Sequence, residues 1–148
     1  MKFYETHKFE YNKEKECFVC TGCFYDDCKA QLSIKAENKI YENNLRVLSL
    51  IEALRTLNVP LSYTTLNEHY SAIVKFNKLN RKEQTNKLLS LNEHMSDLVY
   101  ALKNSNLLAL PMRIWDLLND INDFSLPMTK EQLAKHDAFF NSDWTGTK

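Results

Sequence analysis

Hydrophobic period divides the chain into two regions. Over residues 1–40 apolar and polar positions alternate. Phe3, His7, Phe9 and Tyr11 share one parity while Lys2, Thr6, Lys8 and Glu10 take the other, which is the pattern of a half-buried strand. The segment Lys29–Glu37 alternates throughout, with Ala30, Leu32, Ile34 and Ala36 set against Lys29, Gln31, Ser33, Lys35 and Glu37. That spacing predicts a strand over the whole segment. The polar run Asn12–Glu16 between them predicts a turn. Together these features predict a small β element of two or three strands.

From Tyr41 onward the period is helical. Over 42–58, Leu45, Val47, Leu48, Leu50, Ile51, Leu54 and Leu57 are apolar around most of the circumference, as in a central buried helix. Pro60 ends it, and Ser62 or Thr64 can cap a second helix over 64–78, whose Leu66, Tyr70, Ile73 and Val74 share a face. After a polar stretch at Asn77–Lys82, a helix over 82–103 spaces Leu88, Leu91, Met95, Leu98 and Leu102 by 3, 4, 3 and 4 residues, a helix-packing seam. Pro111 opens a helix running to about Asp123, with Ile114, Leu117, Leu118 and Ile121 inward. Thr129 and Gln132 form a capping box for a last short helix carrying Leu133 and Phe140. The expected class is α+β, mostly α. A β element fills residues 1–40, and a four- to five-helix bundle fills 41–148.

Composition narrows the function. Lys and Arg total 19 and Asp and Glu total 19, so the formal net charge is zero. That balance argues against a protein that coats nucleic acid or an anionic membrane. Only Gly22 and Gly146 are glycines, which excludes glycine-rich phosphate loops. The N-terminal stretch has no apolar core of a secretory signal, and no run is long and apolar enough to span a bilayer. A reducing cytoplasm is therefore the expected compartment. The heavy use of Lys and Asn is what an AT-rich genome produces, and a phage or plasmid would fit.

All four cysteines, Cys17, Cys20, Cys23 and Cys28, fall within twelve residues. Clustered thiolates repel one another unless protonated, oxidised or bound to a cation, and in the cytosol tetrahedral zinc is the usual solution. Gly22 allows a tight turn between Cys20 and Cys23. A small β element also lacks the volume for a good core, and a structural metal supplies the missing stability. His7, on the inward parity of the first strand, can replace Cys17 or Cys28 as a ligand. Three other readings compete. Cys17, Cys20 and Cys23 match the C-x2-C-x2-C part of an iron–sulfur motif. Either C-x-x-C pair could act as a redox dithiol. All four could also be small apolar strand residues.

Other constellations are weaker. Leu66–Val74 and Leu91–Val99 repeat an Asn-Glu-His core, so antiparallel helices would bring Glu68, His69, Glu93 and His94 near one another. Adjacent helical positions point about 100° apart, however, so only one of each Glu-His pair can face the partner helix, and surface decoration is the simpler reading. Lys75, Lys78, Arg81, Lys82 and Lys87 make a basic stretch, and Asp116, Asp120 and Asp123 an acidic face. The Asp120–Glu131 spacing is not a calcium loop, because Phe124 and Ser125 stand where a ligand and the required glycine belong. No nucleophile elbow, zinc-protease or deaminase motif is present, so an enzyme is the weaker class.

The run Leu50–Tyr70 resembles the first two helices of winged helix-turn-helix domains, with Pro60-Leu61-Ser62 as the turn. Leu98–Leu108 is similar to the end of a recognition helix leading into a wing. The resemblance implies DNA binding with residues 88–103 in the major groove. Residues 75–87 depart from it as a long insertion, and Glu93 and Asp97 would repel phosphate. The expected function is a non-enzymatic regulatory or inhibitory protein with a structural zinc site, acting on a macromolecular partner, in the first place a protein. A winged-helix DNA-binding regulator is the alternative, and a redox or iron–sulfur protein the third. Self-association is compatible with any of them.

Overall fold

The computed structural model of the chain describes residues 7–22, 28, 30–58, 64–104, 110–121 and 123–136. The fold is α+β, as expected, with a three-stranded antiparallel sheet leading into a helical bundle. Strands β1 (Phe9–Asn12) and β2 (Cys17–Cys20) form a hairpin with Phe9 opposite Cys20 and Asn12 opposite Cys17. The predicted turn closes it. Asn12 Oδ1 accepts the Lys15 N–H at 3.0 Å, and Glu16 takes the left-handed conformation at φ 54°. Strand β3 (Gln31–Ser33) pairs with the other side of β2, placing Leu32 opposite Phe18. Alternation then sorts the sheet into two faces. Phe9, Cys20 and Leu32 join the core, while Cys17 belongs to the opposite face.

The strand predicted over Lys29–Glu37 is corrected by the structure. Ser33 is the N-cap of helix α1 (Ile34–Thr56), its Oγ accepting the Ala36 N–H at 3.0 Å. Period-2 alternation ends there, and Ile34 is 45% exposed while Ala36 is 2% exposed. From Ala36 the inward positions Ile40, Val47, Leu50, Leu54 follow helical spacing instead. Helix α1 thus runs through residue 40 and carries the sheet directly into the bundle, with one continuous core from Phe9 and Leu32 to the helices.

Helices α2 (Thr64–Phe76) and α4 (Leu88–Lys103) pack against each other, and α4 also packs against α1. The predicted seam is the core, since Leu88, Leu91, Met95, Leu98 and Leu102 are all 2% exposed or less. The helix expected over 82–103 is two helices. Asn80 caps α3 (Arg81–Asn86) by accepting the Glu83 N–H, and the chain breaks at Lys87 before α4. Helix α5 (Met112–Asp120) follows Pro111 and buries Ile114 and Leu118 on α1. It stops before the expected Asp123, which instead makes a turn whose Oδ1 accepts the Ser125 N–H at 3.0 Å.

Residues 123–133 then cross back over the molecule as a strap. Asn43 and Asn92 donate to the carbonyls of Asp123 and Phe124, and Ser33 Oγ donates to the carbonyl of Pro127. Thr129 Oγ1 donates to Gln31 Oε1 at 2.6 Å, and Gln31 Nε2 donates to Glu131 at 2.8 Å. The strap covers the second face of the sheet, which leaves Cys17 only 1% exposed. Its end is the expected capping box. Thr129 and Gln132 exchange hydrogen bonds of 2.9 and 3.1 Å and open the helical segment 130–136. Phe3, Pro60, Ser62 and Phe140 lie outside the described residues. No helix of the described residues is long and apolar enough to cross a membrane.

Candidate metal centre

Strand parity decides which cysteines can meet. Residues 17 and 20 are three apart on β2, so their side chains leave opposite faces. Their Cα atoms are separated by about 10 Å at strand rise, beyond disulfide reach while β2 is intact. Cys20 faces the core edge, beside the position that β1 gives to His7. Its backbone N–H donates to the Ala30 carbonyl at 3.0 Å, and the next residue, Thr21, bonds through N–H and Oγ1 to the Lys8 carbonyl. These contacts bring the two strand ends together just where the chain leaves the sheet.

Three side chains converge there. The donor atoms of His7, Cys20 and Cys28 all lie within 4.8 Å of one another, and no other such group of three occurs among the described residues. Cys28 Sγ sits 3.5 Å from His7 Nδ1. A tetrahedral zinc with ordinary Zn–S and Zn–N bonds would hold sulfur and nitrogen about 3.5 Å apart, so this edge already has the coordination length. His7 and Cys20 are buried, and Cys28 is half-buried. Burial pushes the His7 pKa below its usual value, which favours the neutral imidazole that a metal needs.

Two of the four predicted cysteine ligands, Cys20 and Cys28, are therefore brought together, with His7 where the sequence offered it as a replacement. Cys17 is not in the group. Burial pushes its thiol pKa up, with Lys15 opposing and Glu131 reinforcing that shift, so it stays a protonated, small apolar residue under the strap. Cys23 lies outside the described residues.

One contributor has no signature in the sequence. Asn86, at the end of α3, accepts the His7 N–H on its backbone carbonyl at 3.0 Å and the Phe9 N–H on its side chain at 2.9 Å. It thereby ties the His7 strand to the bundle across 77 residues of chain. A lone asparagine at that distance carries no local signal.

The Asn-Glu-His echo resolves unevenly. His69 and His94 face each other across α2 and α4, with their Nδ1 atoms 3.0 Å apart and ring centroids 5.3 Å apart. Glu68 and Glu93 are both exposed, as the 100° offset required. In the basic stretch, Arg81 stays exposed while pairing with the buried Glu37 at 2.6 Å and lying over the Tyr41 ring at 4.3 Å. The acidic face does not pair with that stretch. Asp120 and Asp123 share a depression with Lys35, Lys39 and Arg46 of α1, and Asp123 pairs with Lys39 at 3.0 Å. No protein-family model matches the chain, and no characterised protein or solved structure is significantly similar to it.

Proposed function

We propose that the chain is a non-enzymatic regulatory or inhibitory protein, acting through a protein partner, whose N-terminal sheet is held by one structural zinc ion. His7, Cys20 and Cys28 supply three ligands. Cys23 takes the fourth position, assigned on sequence alone because Cys20 and Cys23 form a C-x2-C pair about Gly22. The convergence of His7, Cys20 and Cys28 carries the reading. Four protein ligands would close the coordination sphere and leave no place for water or substrate, which is the structural rather than the catalytic arrangement.

A protein partner is favoured over DNA by the position of α4. Its residues Leu88, Leu91, Met95, Leu98, Val99 and Leu102 are spent on the core, and its exposed positions include Glu93 and Tyr100. A helix entering the major groove needs a free polar face with cationic side chains. Metal analysis of protein purified without added metal tests the zinc reading. About one zinc per chain is expected, with loss of protection of the β1–β2 amides on chelation. Iron with absorbance near 400 nm, or metal-free protein with those amides still protected, would overturn it. For the partner reading, salt-sensitive nanomolar binding to one duplex, lost on changes in 88–103, would install the DNA alternative.

A further inference from the structure

The α2–α4 pair leaves a groove of about 630 Å³ whose two ends differ chemically. Toward the α3 end it is rimmed by Lys75, Lys78 and Lys87, and at the other end stand Glu68 and His94. The floor is apolar, made by Ala72, Phe76, Leu79 and Leu91. Phe76 and Leu91, 4% and 2% exposed, back the floor from the core, and the half-buried Ala72 and Leu79 present its apolar surface. Among the described residues the ion-paired cations are Lys15, Lys39, Arg81, Lys130 and Lys135, and the three groove lysines pair with no carboxylate. Three lysines without an ion pair thus rim one concavity whose lining holds a single carboxylate, Glu68.

Resting on the protein-partner reading above, we propose that this groove docks an acidic amphipathic helical segment of the partner, with carboxylates on Lys75, Lys78 and Lys87 and aliphatic side chains against the half-buried Ala72 and Leu79. Such a segment matches both features of the groove. Single-stranded nucleic acid would match the charge but find only the half-buried His94 ring to stack on, at the end away from the lysines, because Phe76 is buried.

Fluorescence anisotropy on the full chain tests the assignment. The probe is a labelled peptide with Leu at helical spacing and Glu elsewhere, compared with its Leu/Lys counterpart and with a single-stranded oligonucleotide. The acidic peptide should bind at least roughly tenfold more tightly than the basic one and weaken as salt rises. The combined Lys75→Glu, Lys78→Glu and Lys87→Glu variant should lose at least roughly tenfold, and a Lys13→Glu, Lys103→Glu control should stay within about twofold. If circular dichroism shows the charge-reversed variant misfolded, the corresponding Lys→Gln triple decides, with an expected loss of about threefold. Equal binding of both peptides, or acidic-peptide binding that survives the lysine changes, overturns the groove assignment and leaves the protein-partner reading standing. Preferential oligonucleotide binding that the lysine changes abolish overturns both.

Discussion

His69 and His94 meet Nδ1 to Nδ1 at 3.0 Å across the α2–α4 seam, so one imidazole donates and the other accepts. Sequence alone reads both residues as decoration and predicts a change below about 1 kcal/mol for either alanine variant. The geometry revises that for His69, which is 7% exposed and both bonds to and packs against the His94 ring. His69→Ala should cost about 1–3 kcal/mol in urea denaturation, and Glu68→Ala and Glu93→Ala under about 0.5 kcal/mol. A double-mutant cycle should show His69–His94 coupling of at least about 0.5 kcal/mol; additive losses would mean that the hydrogen bond is not formed in solution.

Cys17 and Cys20 should behave as different kinds of residue. Cys17→Ala should keep the zinc content of the wild type while losing stability, because it thins the packing under the strap without touching the ligand group. His7→Ala, Cys20→Ala, Cys28→Ala and Cys23→Ala should each lose the metal or weaken its retention against a chelator by at least roughly tenfold. Metal content measured beside thermal midpoints separates the two groups. A Cys17→Ala protein without zinc would place Cys17 back among the ligands.

Asn86 should matter to the metal from a distance. Asn86→Ala removes the acceptor for the Phe9 N–H and loosens the strand that presents His7. The expected result is roughly tenfold weaker metal retention with ligand identity unchanged, read from the absorption bands of the cobalt-substituted protein. Wild-type affinity would show that the His7 strand is positioned without Asn86.

Acid should weaken the strap in a defined window. Hydrogen bonds from Ser125 and Lys39 hold the Asp123 carboxyl at about 2, and bonds from Gln31, Lys15 and Lys135 hold Glu131 at about 2. Both groups bind protons less readily folded than unfolded. Their stabilisation is therefore complete above the usual carboxylate values of 3.8 and 4.5 and is lost as pH falls toward about 2. Asp123→Asn and Glu131→Gln should flatten the stability profile between about pH 4.5 and 2 relative to wild type. Denaturation at several pH values checks this, and an unchanged slope in both variants would rule out the strap contacts as its source.

The residues that were hardest to read are those whose role depends on a distant partner. Helix periods and the Thr129–Gln132 capping box are local, and the structure has them nearly where the spacing put them. At Ser33 two periods overlap. Ala30 and Leu32 obey the strand rule, Ala36 obeys the helix rule, and the even parity they share hides the cap between them. The opposite faces of Cys17 and Cys20 follow from strand parity alone, but only once β2 is known to contain both. Asn43, Asn44 and Asn92 look like surface residues in sequence and are buried. Asn43 and Asn92 hold strap carbonyls, and Asn44 exchanges hydrogen bonds with Asn77 between α1 and the end of α2.

The strap also sets an order of assembly. His7, Cys20 and Cys28 lie close together in sequence, whereas Gln31 waits for Glu131, one hundred residues later. At synthesis rates of about 5–20 residues per second, that gap lasts roughly 5–20 s. During it the Cys17 face of the nascent sheet lacks its cover, and the Cys17 thiol is open to chemistry that the finished protein denies it. A metal captured early would give the hairpin a reason to persist until the strap arrives to close over it.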